Sequence, residues 1–366
     1  MQLTPDLSRR YTSDDGITAR EAQRLAHLIS FGPVVFQTAR IMLRSGILEA
    51  IGNSDSGMTI GEVAETAGLS EYSARCLLEA SLSIGLLIVN ENTDRFSISK
   101  TGIFLLTDPA INVNIDFNQD VNYLGWFRLE EALKENRPAG LSFISDASTV
   151  YEGLSALDPK VQKSWLGFDH FYSDNSFDKA LEIVFARRPR TMLDVGGNTG
   201  KWALKCVEYD PDVEVTIADL PGQVGMMMKN VEGRNGASRI SGIGVDLLDA
   251  ASQFPVGAHY EAVWMSQFLD CFSASQVVEI LRKAQSVMDD GSRLYIMETL
   301  WNRQRFEISA MCLTLTSLYF TAIANGNSKM FYSEDLFDYI RQAGLEVVDV
   351  TDGIGWGHSI IECRKA

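Results

Sequence analysis

Three glycines follow an acidic residue in the stretch TMLDVGGNTGKWAL, residues 191–204. Asp194 lies near the end of an apolar run, and Gly196, Gly197 and Gly200 fall within the six residues after it. Glycines allow the backbone to approach a bulky ligand closely, and an acid at a strand end can accept a hydrogen bond from an ammonium group. The stretch has neither the GxxxxGK spacing of a phosphate loop nor the GxGxxG spacing of a dinucleotide fingerprint. The pattern therefore predicts a binding turn for a ligand of another kind.

Two further acids lie where the next two strands are expected to end. Asp219 follows Gly200 by nineteen residues, at the end of VEVTIAD, and Asp246 lies in GVDLL. A carboxylate at the first position can bind both hydroxyls of a ribose, and one at the second can meet the amino group of adenine. The alternative is that these acids only cap helices. Together with the glycine turn, the spacing favours a nucleoside ligand such as a nucleoside sulfonium.

Strand and helix patterns alternate from Arg190 to the C-terminus, which predicts a mostly parallel sheet covered by helices, with ligands at the carboxyl ends of the strands. The first third of the chain instead has two short amphipathic helices joined at Gly68 and followed by a hairpin, which is a winged-helix pattern. DNA binding is disfavoured because the second helix carries Glu71 and Glu79 against only Arg75. The module is expected to serve dimerisation or substrate capping.

Composition narrows the function classes. A formal charge of −16 over 366 residues argues against a nucleic-acid surface. We expect no membrane-spanning segment, and the N-terminal MQLTPDLSRR lacks the apolar stretch of a signal peptide, so a cytoplasmic location is expected. The five cysteines and four histidines are scattered, which predicts reduced thiols and no metal site.

These motifs resemble the class I S-adenosylmethionine-dependent methyltransferases, and more closely the small-molecule O-methyltransferases of plants and bacteria that act on caffeate, acetylserotonin or polyketides. LDVGGNTG is similar to their cofactor loop, with Asn198 where glycine is usual, IADLPGQ to their ribose element and VDLLD to their adenine element. The resemblance implies a Rossmann-like α/β domain with a mostly parallel seven-stranded sheet, S-adenosylmethionine as cofactor, and a homodimer formed through an N-terminal winged-helix domain. The implied cofactor contacts are Asp194, Gly196, Gly197, Asn198, Gly200, Asp219, Leu220, Asp246, Leu247, Ser266 and Phe272.

The same resemblance implies three parts: a dimerisation domain at residues 1–108, a helical connector lining the substrate pocket at 109–180, and the methyltransferase domain at 181–366.

The chain departs from the family at the catalytic turn, here WMSQFLDCFSASQ. Asp270 stands at the position of the family's histidine base, and Cys271 at that of its neighbouring aspartate. An aspartate with an ordinary pKa of about 3.9 is a poor base for a phenol with a pKa near 10, although burial can raise a carboxyl pKa by roughly 3–5 units. Glu298 matches one flanking acid of the family, and Met330 replaces the other. Asp270 and Glu298 are therefore the predicted catalytic residues.

The expected function is S-adenosylmethionine-dependent methyl transfer to a small hydroxylated or carboxylated acceptor. The missing histidine keeps open an alternative in which the cofactor is bound without methyl transfer, as in a decarboxylase or hydroxylase. A non-catalytic, ligand-binding dimer is a further alternative, disfavoured by the acidic helix. An NAD-dependent oxidoreductase is disfavoured by the GGNTG spacing.

Overall fold

The computed structural model describes residues 1–12, 16–255 and 257–366. Its contacts divide the chain into a smaller unit, Asp15–Asp120, and a larger unit, Met1–Asp14 with Val121–Ala366. The first helix, α1 (Pro5–Tyr11), belongs to the larger unit. The division into three parts at residues 108 and 180 stays a prediction.

The smaller unit is a helix–turn–helix with a two-stranded wing. Its elements are α2 (Ala19–Ser30), α3 (Gly32–Arg44), α4 (Ile47–Gly52), α5 (Ile60–Ala67), α6 (Glu71–Ser83), β1 (Leu87–Asn90), β2 (Arg95–Ile98), α7 (Lys100–Thr107) and α8 (Pro109–Phe117). Helix α5 begins with a capping box, in which the Thr59 hydroxyl accepts from Glu62 N and the Glu62 carboxylate accepts from Thr59 N. The wing strands pair antiparallel. The predicted winged-helix pattern is confirmed.

The larger unit is a seven-stranded sheet covered by helices. Its elements after α1 are α9 (Leu129–Glu135), α10 (Val150–Gly153), α11 (Pro159–Asp174), α12 (Phe177–Val184), β3 (Thr191–Val195), α13 (Lys201–Tyr209), β4 (Glu214–Asp219), α14 (Pro221–Val231), β5 (Ile240–Gly244), β6 (Ala262–Ser266), α15 (Ala274–Ser286), β7 (Arg293–Thr299), α16 (Glu307–Tyr319), α17 (Ser333–Gln342), β8 (Leu345–Ile354) and β9 (His358–Lys365). The strand order is β5-β4-β3-β6-β7-β9-β8; β9 pairs antiparallel with β7 and β8, and the other described pairs are parallel. The predicted fold class is confirmed.

The sheet brings the predicted site residues to one edge. Strand β3 lies between β4 and β6, so the strand order reverses there, and ligands of such sheets bind at that reversal. The register pairs Val195 with Ala218 on one side and with Met265 on the other, and pairs Ser266 with Met297. The glycine turn and the residues that follow β4, β6 and β7 therefore start at the same level.

One helical segment corrects the expectation that no apolar run is long enough to span a membrane. The helical segment Glu307–Ala324 is long and apolar enough to cross a membrane by length and composition alone, with a mean hydropathy of 1.4 and a third of its residues buried. The sequence analysis overlooked it because threonines and serines interrupt its apolar residues, while Glu307 is its only charged residue. Core helices of soluble proteins pass the same test.

Candidate active site

The glycine turn between β3 and α13 has a backbone that few residues tolerate. Gly196 and Gly200 have φ values of +75° and +79°, and Asn198 has +49°. Asparagine is among the non-glycine residues that adopt this left-handed conformation most readily, which explains how it replaces the usual glycine. A Cβ on Gly196 would lie 2.3 Å from the Phe268 ring, and one on Gly197 would lie 2.6 Å from Asp194 Oδ2. The turn is therefore packed against the strand end, and larger side chains have no room.

Asp194 is a buried carboxyl group that faces a ligand cavity. Its side chain is 2% exposed, and Oδ2 has no hydrogen-bond partner among the described residues. Burial, and to a smaller extent the charge of Asp219, raise its pKa to about 8. It lines a cavity of about 100 Å³ together with the glycine turn and Ser266. A buried acceptor without a donor fits a ligand that brings its own positive group, such as an ammonium.

A lysine, a histidine and two tryptophans also line this cavity. Lys201, the first residue of α13, pairs with Asp174 at 2.8 Å, and His170 lies near both. Burial, followed by the charge of Lys201, lowers the pKa of His170, which favours the neutral ring. Trp202 and Trp264 stack with ring centroids 4.2 Å apart. The cavity lining thus includes Asp194 Oδ2, unpartnered within the described part of the chain, and the Lys201–Asp174 ion pair.

The predicted ribose and adenine elements are joined to this turn by hydrogen bonds. Asp219 Oδ2 accepts from Asn198 N at 3.0 Å, and its Oδ1 accepts from Leu220 N at 2.7 Å. Val245 N donates to the Asp219 carbonyl at 2.8 Å, which places Asp246 directly after the Asp219 level. Leu247 is buried, whereas Asp246 is exposed. The structure thus brings the three motifs together at one edge.

Asp270 and Glu298 form a pair of buried acids beyond the end of β6. Asp270 lies in the turn Leu269–Cys271 and is 6% exposed, while Glu298 is fully buried. Glu298 Oε1 accepts from Phe268 N at 3.1 Å and from Leu269 N at 2.8 Å. Burial raises the pKa of Asp270 to about 6. Burial and then the Asp270 charge raise the pKa of Glu298 well above its ordinary value, because two like charges so close disfavour ionisation of both acids together.

Asp169 and Tyr151 are near Asp270 in the structure, although the sequence patterns did not single them out, and Tyr319 is a further aromatic residue near the Asp270 charge. Asp169 of α11 faces the cavity, and burial followed by the Asp270 charge raise its pKa to about 7. The Tyr319 hydroxyl accepts from Trp165 Nε1 at 2.7 Å. The pKa of Tyr151 is raised well above its ordinary value by burial first and then by the charges of Cys271, Tyr319 and Asp270. Acidic and basic residues inside the aromatic run FDHFY were the available signal.

Phe272 and Met330 are two positions at which the chain departs from the family pattern. Phe272 packs edge-on against Phe268, with centroids 4.9 Å apart, and Phe268 in turn covers Gly196. Met330, in place of the second flanking acid, is buried and its sulfur accepts from the Thr299 hydroxyl at 3.2 Å. Because methionine replaces the second flanking acid, Glu298 is the flanking acid that remains beside Asp270.

A comparison with known protein families finds a matching domain for each of the two units. Residues 126–344 match the O-methyltransferase domain, and residues 23–96 match the Dimerisation2-like domain. The chain belongs to the O-methyltransferase family. It is an S-adenosylmethionine-dependent methyltransferase, which confirms the predicted activity and cofactor over the non-transferring and NAD-dependent alternatives.

The individual relatives have low sequence identity, but their alignments cover most of both chains. The chain is 22% identical to an L-tyrosine C(3)-methyltransferase of Streptomyces lavendulae, over 92% of this chain and 91% of that protein. It is 23% identical to a 3-hydroxy-5-methyl-1-naphthoate 3-O-methyltransferase of Streptomyces sahachiroi, over 85% and 86%. The fold is similar to that of the S-adenosylmethionine-dependent methyltransferase SibL, with a TM-score of 0.71, 22% identity and coverage of 93% and 98%.

Proposed function

We propose that this enzyme methylates the hydroxyl oxygen of a small aromatic acceptor and that Asp270 is its base. The observation that carries the proposal is the buried Asp270 carboxyl, whose raised pKa makes it a stronger base than an ordinary aspartate. It lies in the turn after β6, at the edge where the glycine turn begins. The names of the two relatives, which act on a hydroxynaphthoate and on tyrosine, support a hydroxylated aromatic acceptor.

We assign the cofactor contacts to the groups that line this edge. Asp194 would accept from the ammonium group, because its Oδ2 is buried and has no partner in the described part of the chain. Asp219 would bind the ribose, and Asp246 with Leu247 would flank the adenine. When bound, S-adenosylmethionine supplies an electrophilic methyl group on a sulfonium. The remaining predicted contacts, Gly196, Gly197, Asn198, Gly200, Leu220, Ser266 and Phe272, stay proposals.

The chemistry of Asp270 limits the acceptor. Asp270 would accept the acceptor proton, so that an oxygen electron pair could bond to the methyl carbon that S-adenosylmethionine would supply, with the carbon–sulfur electrons leaving on the thioether. A phenol pKa near 10 exceeds the Asp270 pKa of about 6 by roughly four units, or about 5 kcal/mol for complete prior deprotonation. An acceptor hydroxyl made more acidic by a conjugated electron-withdrawing group reduces this difference. We therefore propose acceptors of that kind.

Glu298 would act by positioning Asp270. It accepts from the backbone of Phe268 and Leu269 and so holds the turn that carries the base. Burial and the Asp270 charge raise the pKa of Glu298, so the two acids are disfavoured from ionising together.

A methyl-transfer screen tests the proposal. Wild type, Asp270→Asn and Asp270→His are compared on phenols with and without an adjacent electron-withdrawing group. Wild type is expected to methylate the more acidic phenols, the asparagine variant to lose at least a hundredfold in kcat, and the histidine variant to extend activity to ordinary phenols. Asp335→Asn, which removes a half-exposed acid of α17, is the matched control. An asparagine variant as active as wild type on every accepted substrate would exclude Asp270 as the base.

A carbon acceptor is a second candidate, favoured by the tyrosine C(3)-methyltransferase relative. Removing the proton from a phenol makes its ortho carbon as well as its oxygen nucleophilic, so the same base serves both reactions. Methylation at carbon then releases a ring proton, which restores aromaticity. Nuclear magnetic resonance of the product distinguishes an O-methyl from a C-methyl group.

We further propose a homodimer formed through the smaller unit. The match of residues 23–96 to the Dimerisation2-like domain supports it. The cytoplasmic location and the absence of nucleic-acid and membrane partners stay predictions.

A further inference from the structure

Lys283 is a buried lysine that reaches from α15 to the loop after β5. Its side chain is 8% exposed, and Nζ donates to the carbonyls of Leu247 at 2.8 Å and Asp249 at 2.7 Å. A lysine is rarely so buried unless its charge is matched by acceptors. Here the acceptors are backbone carbonyls on both sides of Leu248. The ammonium group therefore fixes the path of the main chain through this loop.

On its α15 side the loop is packed only in part. Leu247 belongs to the same core cluster as Val278 and Leu281 of α15. Beside them is a cavity of about 340 Å³, lined by Leu248, Ala250 and Gln253 of the loop and by Gln276, Glu279 and Arg282 of α15. Other hydrogen bonds join residues of the loop to one another, as from Leu248 N to Asp246 Oδ1 at 2.9 Å. The two bonds from Lys283, which also lines this cavity, join α15 to the main chain of the loop.

We propose that Lys283 is a positioning residue for the adenine end of S-adenosylmethionine. The inference rests on the proposed assignment of Asp246 and Leu247 to the adenine. Lys283 holds the carbonyl of Leu247 directly, and thereby holds the two residues that would contact the base. Lys283 itself is placed behind the loop and is not a catalytic residue.

The test compares Lys283→Met with Arg282→Met by calorimetry. The control removes a neighbouring cation that lines the same cavity and pairs with Glu279, without touching the loop carbonyls. The probes are S-adenosylhomocysteine and adenosine, which lacks the amino-acid end. Lys283→Met is expected to weaken both probes by a similar factor of about ten, because both use the adenine loop. The kcat at saturating S-adenosylmethionine should stay within about twofold of wild type, and Arg282→Met should bind both probes like wild type.

A third variant separates the two ends of the cofactor. Asp194→Asn is expected to weaken S-adenosylhomocysteine and to leave adenosine unchanged. Equal affinities of Lys283→Met and wild type for adenosine would overturn the inference, as would a loss of kcat without a change in KM for S-adenosylmethionine. Wild type that fails to bind S-adenosylhomocysteine would instead overturn the proposed function together with this inference.

A second substitution at this position allows the test if Lys283→Met does not fold. Lys283→Gln keeps one hydrogen-bond donor without the charge, and should give an intermediate loss of affinity for both probes. If neither variant folds, Lys283 is a stability residue and the inference is wrong.

Discussion

The proposed base, Asp270, would set the pH range in which this enzyme works. Asp270 must be ionised to accept a proton, and its pKa is raised to about 6 by burial. We therefore predict that kcat/KM rises as pH increases through about 6 and is level above that value. Asp270→Asn should lose about 10²–10⁴-fold in kcat and lack this rise. Initial rates between pH 5 and 8, with thermal unfolding measured in parallel, check the prediction.

Glu298 provides an internal control for this profile. Its carboxyl oxygen accepts from Phe268 N and Leu269 N, so its proposed role is to hold the turn. Glu298→Gln keeps the shape and an acceptor oxygen for these bonds, and should keep activity within about tenfold of wild type with a rise of kcat/KM with pH still present. A loss as large as that of Asp270→Asn would show that Glu298 carries the essential charge.

Asp194 predicts a proton release on cofactor binding. In the free protein its pKa is about 8, so about 0.9 of the molecules hold this proton at pH 7. An ammonium group beside Oδ2 favours the ionised carboxylate, and the proton leaves. Calorimetry of S-adenosylhomocysteine in buffers of different ionisation enthalpy should show release of nearly one proton. Asp194→Asn should abolish it, and a wild-type value of zero would contradict the assigned contact.

The same group links stability to pH. The folded pKa of Asp194 lies above the unfolded value of about 3.9, so the folded state binds this proton more tightly. Its contribution is present below pH 4 and is lost as the pH rises through 8. The cofactor-free protein should therefore lose stability over that range, and bound cofactor should remove part of the dependence.

At the scale of the element, the glycine turn is the most demanding segment. A Cβ on Gly197 would lie 2.6 Å from Asp194 Oδ2 and 2.7 Å from Ile217 Cγ2. Gly197→Ala should therefore weaken S-adenosylhomocysteine at least tenfold and lower the free energy of unfolding by about 1–3 kcal/mol. Gly225→Ala is the matched control, because no described atom beyond its chain neighbours and its own helix backbone lies within 4 Å of its Cβ position, and α14 should gain about 0.5–1 kcal/mol. Calorimetry and urea unfolding measure both effects, and equal results for the two variants would contradict the prediction.

Local patterns made the fold and the motifs around the glycine turn predictable. The glycine spacing, Asp219 and Asp246 each follow a strand that the sequence marks by itself, and the sheet then aligns the strand ends. Contacts between distant segments were not predictable in this way. Asp169 meets the Asp270 charge over a separation of 101 residues, and Lys283 meets Leu247 over 36, so no short pattern records either contact.

At the scale of the whole molecule, α2 and α3 of the smaller unit expose apolar surface. None of the described residues of helix α2 is buried, and its apolar side chains Leu25 and Ile29 are 44% and 71% exposed. Phe31 and Val34 follow at the start of α3, with 60% and 54% exposed. Contiguous apolar surface of this kind marks an interface. A second copy of the chain is the partner that the Dimerisation2-like match favours.

We therefore predict that the protein is a dimer and that a charged substitution on this surface dissociates it into monomers. The double substitution Ile29→Asp with Val34→Asp should place two desolvated charges in each half of the interface and give monomers at micromolar concentration, because an unpaired buried charge costs several kcal/mol. Tyr72→Asp adds the same kind of charge at a residue of α6 that is 77% exposed, and should leave the dimer intact. Light scattering measures the mass against the 40.5 kDa of one chain. A wild-type mass of one chain at micromolar concentration would contradict the dimer, and dissociation by Tyr72→Asp alone would move the interface from α2 and α3 to α6.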